Sequence, residues 1–394
     1  LTRAPRERDL RLDFFRGVGM FIILIAHITD NPWTLWIPAR FGFSDATEIF
    51  VFCSGMASAI AFGGVFERAG WAMGAFRIAF RVWQVYWVHL GVFLVTLTLM
   101  LALNATGVFP RDEVDALNLY PFLTDTGPNL IGLLTLTYVP NYFDILPMYL
   151  VILALIPVMM ALARADVRLA GLASLALWVA ATAGLNLPAE LWFAAPSDRG
   201  WFFNPFAWQL LFFSGFALMA GWLPRPPLRR SLVWTAVVGL LLTIPFAWHR
   251  TIALSETIRT LRQDGVVLID KTHLGLLRYL HFLALAYLAW VLAGPAGSRL
   301  RRGGWAGRAI AVVVQVGQQS LAVFAASLVL ARVLGAVLEL AGGGPGPALL
   351  VNLSGFAAII GVARLAAYAK SQPWKTAVSR SRSPDISLAG EVSK

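Results

Sequence analysis

Phe14-Phe15-Arg16-Gly17-Val18-Gly19-Met20-Phe21-Ile22-Ile23-Leu24-Ile25-Ala26-His27-Ile28 is an apolar stretch holding an arginine and a histidine. A second apolar stretch follows and opens on two carboxylates, in Gly42-Phe43-Ser44-Asp45-Ala46-Thr47-Glu48-Ile49-Phe50. Both stretches read as membrane spans. An ionisable group inside a bilayer costs about 2.5–3.5 kcal/mol on insertion scales, so within a span it is a functional candidate by default. Here a base, two carboxylates and a cation meet in two consecutive spans.

The rest of the chain agrees with this reading. Of 394 residues, 58% are hydrophobic and 13% charged, and the mean hydropathy is +0.69. A soluble domain carries about 25% charged residues, so this is the composition of a polytopic membrane protein. The single cysteine, Cys53, excludes a disulfide framework and a cysteine zinc site. The net charge of +11 reads as asymmetric loop charge rather than as nucleic-acid binding. Arg3, Arg6, Arg8 and Arg11 precede the first apolar run, which has no small-residue cleavage site and contains Arg16 and His27. It therefore reads as a retained span, not as a signal peptide.

The expected fold is all-α, a polytopic bundle of about ten transmembrane helices. The spans fall near 14–29, 45–65, 82–103, 144–163, 169–185, 206–222, 231–248, 274–293, 310–332 and 348–369. Residues 130–139 are apolar but too few to cross, which fits a re-entrant or interfacial segment. With the N-terminus in the cytoplasm, this count puts roughly three times as many Lys and Arg in inner as in outer segments, as the positive-inside rule requires. Both termini are then cytoplasmic. Residues 1–370 form one transmembrane domain, and the Ser- and Arg-rich tail, 371–394, is expected to be disordered. The longest outer loops are 104–143 and 249–273.

Helical geometry gives the polar residues a depth. Arg16 and His27, eleven residues apart, return to nearly the same helix face, separated by roughly 16 Å along the axis. Asp13 shares that face. Arg16 lies toward the inner end and His27 toward the outer. The next span runs back inward, so Asp45 and Glu48 begin it at the level of His27. A carboxylate beside an imidazole fixes its tautomer and raises its basicity, the base-plus-orienter arrangement that activates a hydroxyl. A buried ion pair locking two helices is the plainer reading of the same residues.

Other spans place polar groups at the same outer level. Asn141 and Asp144 precede Pro147; Asn204, Trp208 and Gln209 open the sixth span; Arg278 and His281 stand three apart near the start of the eighth. Each alone reads as an anchor or cap, and together they suggest a polar chamber with Arg278 available to an anionic group. Gln315, Gln318, Gln319 and Ser320, in the ninth span, fit interhelical hydrogen bonding. His89, His249 and His273 carry no comparable pattern. No metal-binding motif is present, so no metal is expected.

In these residues the chain resembles the OpgC family, within the broader membrane acyltransferase-3 superfamily. The resemblance runs through Arg8-Asp9-Leu10-Arg11-Leu12-Asp13-Phe14-Phe15-Arg16-Gly17, His27 and the stretch from Gly42 to Gly55. It continues in Asp144-Ile145-Leu146-Pro147-Met148-Tyr149, Asn204-Pro205-Phe206-Ala207-Trp208-Gln209, Arg278-Tyr279-Leu280-His281-Phe282 and Gly317-Gln318-Gln319-Ser320-Leu321-Ala322-Val323-Phe324. It covers about residues 8 to 370 and departs at Cys53, where an aliphatic or aromatic residue is expected.

The resemblance implies an enzyme of the bacterial inner membrane that O-acylates a periplasmic glucan. It implies succinyl as the acyl group, succinyl-CoA as the donor substrate and no permanently bound cofactor. It also implies an arginine about ten residues ahead of a catalytic histidine, the places of Arg16 and His27. On this basis His27 is expected to deprotonate a sugar hydroxyl, with Asp45 or Glu48 orienting it; an acyl-histidine intermediate is the variant. Arg16, Asp144, Asn204, Gln209, Arg278 and His281 are the expected substrate-binding residues. Arg77 and Arg81 are placed to hold the CoA phosphates. The bilayer, the glucan and the donor are the expected partners, and no nucleic acid is. The alternative reading is a transporter or flippase that uses the same intramembrane charges.

Overall fold

A computed structural model of the chain describes residues 9–190 and 199–375. Arg3, Arg6 and Arg8, and the tail from residue 376, lie outside the described residues.

Eleven long helices carry the architecture: α1 (Leu10–His27), α2 (Ala46–Ser58), α3 (Trp71–Ala105), α4 (Ile145–Ala165), α5 (Val167–Thr182), α6 (Pro205–Ala220), α7 (Arg230–Ala247), α8 (Leu276–Ala293), α9 (Gly304–Gln318), α10 (Ser320–Leu340) and α11 (Pro345–Lys370). α2 continues through a π turn at Ala59–Gly63 into Gly64–Ala69. Among the described residues, seven helices are long and apolar enough to cross a membrane. They are α2 with its extension, α3, α4, α7, α8, α10 and α11. α5 and α6 are apolar but have 16 residues each. α1 has 18 residues, and Arg11, Asp13 and Arg16 fall among them. Length and hydropathy thus account for seven of the expected crossings, because the charges in α1 and the short lengths of the others lower the signal there.

The expected ninth span, 310–332, is two helices. Gln319 leaves helical dihedrals (φ −103°, ψ 25°), which ends α9 and starts α10. Residues 130–139 fall in and after a ten-residue helix, Thr126–Thr135, about 15 Å long and too short to cross. Both long loops contain further short helices, among them Glu113–Ala116 and Glu256–Asp264.

The centre of the bundle is α1, which packs on α2, α9 and α10. α2 also packs on α6, α3 on α4, and α10 on α3 and α11. α7 and α8 pair at the periphery, and few of their side chains are buried. Within a bilayer, lipid tails are as apolar as leucine, so helices associate where small residues allow backbones to touch. A Cβ on Gly55 would sit 1.9 Å from the Phe212 carbonyl oxygen, and one on Gly317 would sit 1.8 Å from that of Asp13. These two contacts set the α2–α6 and α1–α9 crossings. Gly55→Ala and Gly317→Ala each force a backbone to move, and each should lower stability by about 1–3 kcal/mol. Thermal melting in detergent measures this, and an unchanged melt would mean that the crossing is looser than described.

Candidate active site

Asp45 and Glu48 are held by the start of their own helix. Asp45 is the N-cap of α2. Its Oδ1 accepts from the Thr47 amide at 2.6 Å, and Glu48 Oε2 accepts from the Asp45 amide at 2.7 Å. This is a capping box, in which two side chains satisfy amides that the first helical turn leaves without partners. Each carboxylate then spends its other oxygen on a cation. Lys271 Nζ donates to Asp45 Oδ2 at 2.5 Å, and Arg278 Nη1 donates to Glu48 Oε1 at 2.8 Å. Lys271 comes from the turn before α8. Burial acts to raise the Asp270 carboxyl in that turn, but the backbone and ring donors of His273 outweigh it and hold Asp270 below its ordinary value.

His27 closes α1 at the same end of the bundle. Its Nδ1 lies 2.7 Å from the Ile23 carbonyl oxygen. A carbonyl only accepts, so Nδ1 carries the proton and Nε2 of the neutral ring carries the lone pair. The expected orienting carboxylate is therefore replaced by a backbone carbonyl one turn back. Asp45 and Lys271 remain near enough to act on the ring electrostatically, as does Arg332.

His27 lines a small cavity of about 10 Å³, together with Thr96, Tyr142 and Arg332 among apolar side chains. The Tyr142 ring meets the imidazole edge to face at 5.4 Å. Arg332, from α10, is 5% exposed; its Nη2 donates to Glu113 Oε2 at 2.5 Å, and its guanidinium lies 5.6 Å from the Tyr142 ring centroid. Among the described residues, Arg332 Nε and Thr96 Oγ1 are buried with no hydrogen-bond partner. An unmet buried donor costs about 1–3 kcal/mol, and more when it is charged. Sequence reasoning did not assign these residues a role. Arg332 was visible as an intramembrane charge, but nothing in the sequence linked it to Glu113, which resembles any loop acid.

Arg16 marks a second layer. Its Nη2 donates to Ser320 Oγ at the first turn of α10, and its Nε is buried without a partner among the described residues. Gln318 Nε2 donates to Asp13 Oδ2 at 3.3 Å. Arg16 to His27 along α1 and Ser320 to Arg332 along α10 are steps of eleven and twelve residues, roughly 16–18 Å. The two helices thus meet through polar groups at two levels. Lys370 lies within electrostatic reach of Arg16 and Arg81. Arg81 donates to Gln84 at 3.2 Å, and Arg77 is exposed.

The remaining candidates divide between structural and open. Asn204 caps α6, accepting from the Phe206 amide at 3.0 Å and donating to the Leu185 carbonyl at 2.6 Å. Gln209 exchanges hydrogen bonds with Ser174 at 2.7 Å through both its amide atoms. Both side chains are fully buried and occupied. His281 Nδ1 pairs with Ser44 Oγ at 2.8 Å, and a Cβ on Gly42 would fall 2.1 Å from its Nε2, so the ring braces the turn before α2. Arg278 also donates to the Ile269 carbonyl at 3.1 Å and borders a cleft that Asp45 and Arg262 share. Asp144 is buried with Oδ1 unpartnered among the described residues, so its bonding capacity is not filled as that of Asn204 and Gln209 is. Gln209→Ala should therefore lower stability by about 1–3 kcal/mol. Thermal melting in detergent measures this, and an unchanged melt would free Gln209 for a ligand-binding role.

An imidazole with a fixed tautomer, a buried guanidinium and a largely apolar cavity among membrane-crossing helices define an intramembrane polar site in a helical membrane protein. The family model described as OpgC protein matches residues 8–371, and the chain belongs to that family. Membership points to an enzyme of acyltransferase type. No curated protein and no solved structure matches the chain.

Proposed function

We propose that this protein is a membrane O-acyltransferase moving a succinyl or similar acyl group from acyl-CoA to a hydroxyl of a glucan on the far side of the bacterial inner membrane. The observation that carries the reading is the His27 tautomer: Nδ1 is committed to Ile23, so Nε2 is the basic nitrogen of a ring that lines the cavity. In this reaction a sugar hydroxyl attacks the thioester carbonyl while Nε2 takes its proton. The C–S bond then breaks, and the CoA thiolate leaves, reprotonated by the imidazolium. An acyl-histidine intermediate is the variant route.

The donor is made in the cytoplasm and the acceptor lies outside, so the site must be reached from both faces. The two polar layers of α1 and α10 support such a path. Arg16 stands at the inner layer, where the pantetheine arm enters, and Arg77 and Arg81 face the CoA phosphates. Asp144 and Arg278 are the remaining candidates for substrate contact at the outer layer.

The test is transfer of labelled succinate from succinyl-CoA to glucan by purified protein in detergent, read by mass spectrometry of the glucan. Product that depends on His27 supports the reading. The break between α9 and α10 at Gln319 favours a second reading as a transporter, since discontinuous helices build transporter sites. A transporter needs two compartments and makes no product in detergent.

A further inference from the structure

We propose that Arg332, with the Thr96 hydroxyl, binds the thioester carbonyl oxygen and stabilises the oxyanion that forms on it; this role rests on the acyl-transfer reading. Acyl transfer requires two things of a site. One group must remove the hydroxyl proton, and another must receive the negative charge that builds on the carbonyl oxygen. His27 supplies the first and cannot supply the second, because its only N–H is committed to the Ile23 carbonyl.

The cavity holds donors suited to the second task. Arg332 Nε and Thr96 Oγ1 come from α10 and α3, line the cavity that His27 lines, and are buried without partners among the described residues. A fixed polar group left unmet in the resting protein is complete only when something enters. The occupant must be an acceptor, since Nε only donates. It must also lie beside the base, which a thioester carbonyl does when its carbon is under attack.

Glu113 and Tyr142 explain how the guanidinium is held ready. The carboxylate takes Nη2 and the Tyr142 ring lies under the plane, so Nε is fixed before substrate arrives. As attack proceeds, the carbonyl π electrons move onto the oxygen, and its bonds to Nε–H and the Thr96 hydroxyl strengthen. When the C–S bond breaks, the charge leaves with the thiolate and those bonds weaken again. Arg332 therefore acts in the transition state rather than on bound substrate, which makes kcat, not KM, the sensitive quantity.

The experiment measures kcat and KM for full-length wild type, Arg332→Lys, Thr96→Val and the double variant Arg332→Leu/Glu113→Leu in detergent. Removing an oxyanion donor lowers kcat by about 10²–10³-fold, and that loss is expected for Arg332→Lys with KM within about threefold of wild type. A smaller kcat loss is expected for Thr96→Val. The double variant removes the charge pair together, so it should melt no earlier than wild type while losing kcat as the single variant does. A double variant that keeps wild-type kcat would show the pair to be a structural strut. A raised KM with unchanged kcat would make Arg332 a ground-state anion site and overturn the proposal. Wild type that makes no product removes the acyl-transfer reading and this role with it; active wild type with unaffected Arg332 variants removes this role alone.

Discussion

His27→Ala should lose acyl transfer by about 10²–10⁴-fold, the contribution of a positioned general base, while folding and inserting as wild type does. The side chain is only partly buried, and its hydrogen bond is to a carbonyl in its own helix. Its removal therefore leaves neither a large cavity nor a distant group unpaired. The measurement is labelled succinate transferred to glucan, set beside a melting curve of the same preparation. His27→Gln sharpens the comparison. Its amide can still donate to Ile23, but it has no basic nitrogen, so geometry is kept and base catalysis is lost. Retained transfer in either variant would exclude His27 as the base and move the protein toward the transporter reading.

Glu48→Ala should be the most destabilising substitution at this end of the bundle, by about 3 kcal/mol, because it removes the fully buried half of an ion pair and leaves Arg278, 13% exposed, without its anion. It also removes the acceptor for the Asp45 amide and half of the capping box. Glu48→Gln keeps an oxygen for that amide but not the charge, and should fall between Glu48→Ala and wild type. If Glu48 serves α2 rather than His27, transfer by the surviving folded fraction stays near wild type after correction for protein lost. A large fall in kcat at an unchanged melting temperature would instead restore the carboxylate to the catalytic chemistry.

The capping box shows how far the sequence could be read at these residues. Asp45 followed by Glu48 at the head of an apolar run is itself the pattern of a helix start. Their acidity inside a span drew attention to catalysis, and the local role was equally visible. Their second partners, Lys271 and Arg278, lie more than two hundred residues away in sequence, and no local pattern announces them. Asn204 and Gln209 followed the same course. Both were legible as polar residues at the opening of a span, but only the contacts with Leu185 and Ser174 show that their bonding capacity is filled.

The sequence by itself determined that this chain is a helical membrane protein, since mean hydropathy and apolar run lengths follow directly from side-chain chemistry. It also determined that Arg16 and His27 share a helix face in separate layers, because helical periodicity needs no partner. Only the tertiary structure decided who completes each layer. Ser320 bonds Arg16, and Arg332 lines the cavity that His27 lines, because α10 packs on α1, and Glu113 reaches Arg332 because a loop helix folds over that end. Those pairings depend on helix packing and on the burial of opposite charges across long sequence separations. The carbonyl that orients His27 lay one turn away, yet it too became known only from the side-chain rotamer, which the surrounding helices select.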